Sequence, residues 1–150
     1  MMCWLSDLLK KEKPKPKITL LTTTSEKVLQ AIANLNLIKL YPALLDHFQP
    51  YYYTKSEDWA EVFDYIYFKF NMPSFLAAKM DCEDFAILLK GLVSSFFGLN
   101  YFGVVIGTTP AGGHGWNLFM TENGWLQFEP QTGNIFELDE KGYKPEYILL

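Results

Sequence analysis

Apolar residues recur at helical spacing over residues 25–37, where Val28, Leu29, Ile32 and Leu35 share one face behind Thr24 or Ser25 as an N-cap. A second stripe, Trp59, Val62, Phe63, Ile66, Tyr67 and Phe70, predicts another helix. Ser56 caps it, Glu57 and Asp58 suit its first turn, and Asn71-Met72-Pro73 ends it. Pro42 and Pro50 bracket a short irregular stretch between the two. From Phe85 to Gly107 the only charge is Lys90, which raises the question of a membrane span. Gly98 and Asn100 interrupt that run, and Asp81, Glu83 and Asp84 abut it, so the span is rejected. The better reading is a helix over 82–97, apolar on nearly all sides and stopped by Gly98. A helix apolar all round is expected at the centre of a compact domain. The last third changes to a period of two, which predicts strands at 101–106, 114–120, 125–129, about 135–138 and 146–149. Gly112-Gly113, Asn123-Gly124, Thr132-Gly133 and Gly142 mark the turns. Helices first and a strand meander afterwards make an α+β layout.

The chain has 150 residues, enough for one domain with its own core. The domain is placed at residues 18–150, and residues 1–17 read as a basic, flexible tail and linker. That tail holds Lys10, Lys11, Lys13, Lys15 and Lys17 against Asp7 and Glu12. The Lys-Pro alternation at Pro14 and Pro16 blocks helix. Trp4, Leu5, Leu8 and Leu9 ahead of it form one amphipathic turn that can dock a partner. No basic start followed by a long apolar region marks a secretory signal, and a cytoplasmic location is expected, or a virion or host-cell one for a phage-encoded chain. All 13 cations are Lys, and the net charge is −4. Without a single guanidinium fork, nucleic-acid binding is excluded as an expectation. The chain holds two Cys, Cys3 and Cys82, and two His, His47 and His114. That inventory makes neither a disulfide framework nor a Cys/His zinc site.

The chemistry concentrates at Met80-Asp81-Cys82-Glu83-Asp84-Phe85. Asp81 stands at the N-cap, and Asp84 reaches back as the acid of a capping box. Cys82 then lies in the first helical turn, where free N–H groups favour a thiolate and can hold an oxyanion. Three neighbouring carboxylates oppose this, so an imidazole partner is needed. His114, after the Ala111-Gly112-Gly113 turn, is the candidate, with His47 as competitor. The hairpin supplies the third member. With Thr121–Gly124 as a four-residue loop, Met120 faces Trp125, Leu118 faces Gln127, Trp116 faces Glu129 and His114 faces Gln131. His114 and Glu129 then share a face as diagonal neighbours. A two-residue Asn123-Gly124 loop moves Glu129 one rung away, and a three-residue loop puts the two on opposite faces. The alternative reading of these residues is a buried free thiol, a rim histidine and a solvated glutamate.

Asp81-Cys82-Glu83-Asp84-Phe85-Ala86, His114-Gly115-Trp116-Asn117 and Phe128-Glu129-Pro130 resemble the transglutaminase-like branch of the papain-like cysteine peptidases. The run Glu129-Pro130-Gln131-Thr132-Gly133 looks more like the peptidase domain attached to the fairy-ring mushroom agglutinin and its bacterial and phage relatives. The resemblance covers roughly residues 70–135. It implies a papain-like core in which the Cys-bearing central helix packs on an antiparallel sheet carrying the His and Glu. It implies a Cys82–His114–Glu129 triad and, as in that relative, calcium-dependent activity. Glu83, Asp84 and Glu137 are the candidate cation ligands, since clustered oxygens suit calcium. Nothing in the residues requires a cofactor. The sequence departs from the family in Lys79-Met80 ahead of Asp81, in Gly115 after the His, and in Phe75 where a Trp is frequent. Gln131 is the substitute oxyanion donor, with Asp84 in support. The expected function is thiol-dependent hydrolysis or acyl transfer at a peptide or amide bond, on a protein or peptide substrate. The alternative is an inactive binding or structural module of the same fold, such as a phage or scaffold component.

Overall fold

The structure is a computed structural model that describes residues 13–35, 39–40, 49–72, 80–138 and 140–150. Cys3, His47, Phe75 and Lys79, and most of the amphipathic tail, lie outside the described residues. Along the chain come β1 (Leu21–Thr23), α1 (Ser25–Ala33), β2 (Lys39–Leu40), β3 (Tyr51–Tyr53), α2 (Ser56–Phe70) and α3 (Cys82–Phe97). Then follow β4 (Phe102–Thr109), β5 (Gly112–Thr121), β6 (Gly124–Glu129), β7 (Asn134–Phe136) and β8 (Lys144–Leu149). The helix ends follow local chemistry. Thr24 caps α1 by accepting from the Lys27 N–H, and Asn71 and Gly98 end α2 and α3 in the left-handed conformation. Lys55, rather than Ser56, is the N-cap residue of α2, and Glu122 of the β5–β6 turn accepts from the Ser56 N–H at 2.8 Å.

Six strands form one sheet in the order β2-β8-β4-β5-β6-β7, and β1 pairs with β3 in a separate ribbon. Aromatic and aliphatic side chains of α2 and α3 pack on one face, where Trp59, Phe63, Leu89 and Val93 meet Phe102, Phe119 and Phe128. Trp59 also donates its indole N–H to the Met120 carbonyl at 2.9 Å. The other face carries Trp116, Leu118 and Ile148 against Val28 and Ile32 of α1. Alternation along β5 therefore sends His114, Trp116 and Leu118 to the α1 face, and Gly115, Asn117 and Phe119 to the α3 face. Buried Asn117 ties the layers together, its amide donating to the carbonyls of Ala86 at 3.0 Å and Gly103 at 3.1 Å.

The expectation of a papain-like or transglutaminase-like α+β core is corrected in its architecture. The strands do not end as a meander. β8 returns beside β4 in antiparallel register, and β2 pairs with β8 in parallel, so the sheet is mixed. Gly107 permits the return, because a Cβ there would lie 2.1 Å from the Lys144 carbonyl oxygen. Nor is α3 a central helix enclosed on all sides. Ile87 is 54% exposed and Leu88 37%, so one apolar flank of α3 faces outward. Its sequence conceals this, since from Phe85 to Phe97 the only charge is Lys90 and periodicity cannot orient a helix that is apolar nearly all round. Strands β1, β2 and β3 carry no sequence signal, since each is only two or three residues long and none stands in a run of alternating strands marked off by glycine turns, as the equally short β7 does.

Candidate functional site

Pairing across β5 and β6 sets Met120 opposite Trp125 and Leu118 opposite Gln127, the register that the four-residue loop predicts. The ladder continues one rung further, to Thr121 and Gly124, leaving Glu122-Asn123 as the turn. The other end of the hairpin holds the site. Regular β5–β6 pairing stops at Asn117 and Phe128. Beyond it the His114 ring reaches diagonally to Glu129, with Nε2 2.6 Å from Oε2. With the carboxyl ionised, Glu129 can only accept, so Nε2–H is the donor of this bond. The ring stacks on Trp116 with centroids 5.9 Å apart.

Glu129 is buried, an unusual place for a carboxylate unless hydrogen bonds hold it. Burial pushes its pKa up, but donors outweigh burial and hold it below the ordinary value. They are the His114 ring, the Gln131 backbone N–H at 3.1 Å from Oε1, and the Tyr143 hydroxyl at 3.0 Å from Oε2. Gln131 thus enters the site through its backbone, while its side chain lies on an exposed residue. Tyr143 escaped the sequence reading. It follows Gly142, whose sequence signal is only that of a turn, and a lone aromatic 14 residues from Glu129 carries no pattern.

Cys82 opens α3 behind the Asp81–Asp84 capping box, in which the Asp84 carboxylate accepts from the Asp81 N–H at 3.4 Å. This end of the helix sits on Gly115. A Cβ added at Gly115 would lie 2.9 Å from Glu83 Cα and 3.0 Å from Glu83 N. The missing side chain is therefore what lets the thiol's helix approach the residue next to His114. Cys82 is half-buried, and its Sγ donates to Glu83 Oε2 at 3.2 Å. Burial, followed by this bond, pushes the thiol pKa up, although the Gly115 N–H works the other way. The helix terminus thus does not produce a resting thiolate. Glu83 shifts down, held first by its own backbone N–H and then by the thiol. Among the described residues, no group of three or more His, Cys, Asp and Glu side chains is placed to hold a metal ion. Glu83 and Asp84 lie at the start of α3, whereas Glu137 follows β7 and lends its carbonyl to Gln127. No helix among the described residues is long and apolar enough to cross a membrane.

No protein-family model matches the chain, and no curated protein matches it. Solved structures do. One is described as a PSL1a–E64 complex, with a TM-score of 0.69 and 23% identity over 87% of this chain and 51% of the other. Another is the Polyporus squamosus lectin bound to a human-type influenza-binding epitope, Neu5Acα2-6Galβ1-4GlcNAc, with a TM-score of 0.64 and 22% identity over 87% of this chain and 50% of the other. The chain has the fold of part of these proteins and spans about half their length. These findings correct the family assignment. One neighbour is described as a lectin, neither is described as a peptidase, and no family model supports a transglutaminase-like or papain-like peptidase. The reading of the chain as a hydrolase, thiol protease or acyltransferase on a protein or peptide substrate is withdrawn with it, as is the phage connection.

Proposed function

We propose that Cys82, His114 and Glu129 form one reactive centre that captures an electrophilic ligand on sulfur. The observation that carries this reading is the 2.6 Å bond from His114 to Glu129, together with the bond from the backbone N–H of the next residue, Gly115, to the Cys82 thiol at the end of the same strand. Glu129 fixes the tautomer, the free Nδ1 is the base, and Cys82 is the nucleophile. With an epoxide ligand, Nδ1 takes the thiol proton and sulfur bonds to an epoxide carbon. That carbon's C–O bond breaks, and the alkoxide takes the proton back from the ring. The description of one neighbour as an E64 complex adds support. Intact-protein mass spectrometry after incubation with E64 tests it. One adduct on Cys82 is expected, formed about 100-fold more slowly in His114→Ala. An unmodified folded protein whose Cys82 alkylates only after denaturation overturns the reading. Repeating the assay with calcium or EDTA tests the cation expected at Glu83, Asp84 and Glu137.

A second reading, carbohydrate binding, is favoured by the glycan-bound lectin among the neighbours. A cavity of about 260 Å³ beside α2 offers the aromatic wall of Phe63, Tyr67 and Phe128 and the carboxylate of Asp64, which also pairs with Lys13. Calorimetric titration with Neu5Acα2-6Galβ1-4GlcNAc tests this, saturable heat supporting it and none opposing it.

A further inference from the structure

We infer that Tyr143 is the positioning residue of the reactive centre, acting through Glu129 to hold the His114 ring in one tautomer and one orientation. The inference rests on reading Cys82, His114 and Glu129 as that centre. Glu129 Oε2 receives two side-chain donors, His114 Nε2 at 2.6 Å and the Tyr143 hydroxyl at 3.0 Å, while Oε1 receives the Gln131 N–H. Three donors on one buried carboxylate keep it ionised and fix its plane. An ionised, fixed carboxylate keeps the proton on Nε2 and the lone pair on Nδ1.

The Tyr143 ring adds a second restraint. It meets the imidazole edge-on with centroids 5.8 Å apart, the Trp116 ring at 5.1 Å and the Phe136 ring at 4.8 Å. His114 is thereby confined between the stacked Trp116 and the Tyr143 edge. The backbone delivers this tyrosine deliberately. Lys141 and Gly142 have φ of 58° and 68°, and Gly142 closes on Pro110 of the β4–β5 turn, leaving 3.1 Å from its missing Cβ to Pro110 Cγ. Gly142 adopts this conformation without cost, but Lys141 does not, so the turn that aims Tyr143 is held at the expense of one left-handed non-glycine residue. Burial and the neighbouring Glu129 charge push the Tyr143 hydroxyl up to about 12, so it remains a donor throughout the working pH range. Tyr67, the other tyrosine near Glu129, spends its hydroxyl on the Pro130 carbonyl and leaves the carboxylate to Tyr143.

Tyr143→Phe tests the inference, since it keeps the ring contacts and removes only the donor. The Glu129 side-chain carbon and the His114 ring nitrogens are followed by NMR across pH, alongside Cys82 alkylation by iodoacetamide. The carboxyl midpoint is expected to move up by about one pH unit. The Nε2–H tautomer is expected to lose population, and alkylation at pH 7 to slow about tenfold. An unchanged carboxyl midpoint and tautomer overturn the inference, even with a lowered melting temperature, because a merely structural role moves only the latter. A Cys82 that is inert in both proteins while the NMR signals move refutes the reactive centre and leaves the Tyr143 role intact.

Discussion

Trp116 and Gln127 join across the β5–β6 hairpin, the indole N–H donating to the amide oxygen at 2.8 Å. One rung along the same face, His114 and Glu129 join at 2.6 Å. Both are diagonal pairs built by the same register, yet they differ in burial and in charge. Trp116 and Gln127 are fully buried and neutral, and the Gln127 amide also donates to the carbonyls of Glu137 and Leu138 at 3.0 and 3.1 Å. Every polar atom of that pair is matched inside the protein, which makes a lock for the β6–β7 region. The outer pair keeps some contact with water, the His114 side chain being 17% exposed, and it holds a group that titrates. A shift of one rung toward the end of a sheet is enough to separate a structural polar pair from a chemical one.

The largest effect is expected at the inner pair. Gln127→Leu strands the Trp116 N–H and two carbonyls, and denaturant unfolding should show a loss of about 3 kcal/mol. Gly115→Ala probes the contact between the two elements of the site. Its Cβ meets helix backbone, which cannot step aside as a flexible side chain would. About 2 kcal/mol of stability should be lost, together with faster hydrogen exchange at the first turn of α3.

Glu129→Gln sharpens the contrast through pH. Burial raises the Glu129 carboxyl, but its hydrogen bonds lower it by more, so its folded pKa is depressed. A depressed carboxyl contributes stability that is fully present above the ordinary glutamate range and is lost as pH falls through the folded value. Glu129→Gln should therefore cost about 1.5 kcal/mol at neutral pH. The gap from wild type should close under acid, whereas the cost of Gln127→Leu should stay constant. A gap in Glu129→Gln that does not change with pH would mean that the two pairs are of one kind.

Much of the local structure was legible because its signals are local. The start of α3 at Cys82, the Asp81–Asp84 box and the stop at Gly98 follow from residues within one turn of each end. The shared face of His114 and Glu129 followed from counting through one hairpin. What lay beyond reach depends on distant partners. The return of β8 rests on the close approach of Gly107 to Lys144, and Tyr143 reaches Glu129 only because of that return and the turn at Lys141-Gly142. The thiol's rise in pKa was foreseeable in direction from the adjacent acids, but its partner Glu83 and its burial were not. The family assignment failed for a different reason. Short motifs around a Cys, a His and a Glu do not specify a whole fold, and the likeness over 87% of the chain is to other structures, one of them described as a lectin.

The central claim is that the His114 ring, oriented by Glu129, acts on the Cys82 thiol. The most direct measurement is the second-order rate of Cys82 alkylation by iodoacetamide from pH 4 to 10, in the wild type and in His114→Ala. His114→Ala should be slower than the wild type by about 100-fold at pH 7, and the two rates should converge at high pH, where the thiol ionises without help from the ring. A single rise at high pH, identical in both proteins, would contradict the account.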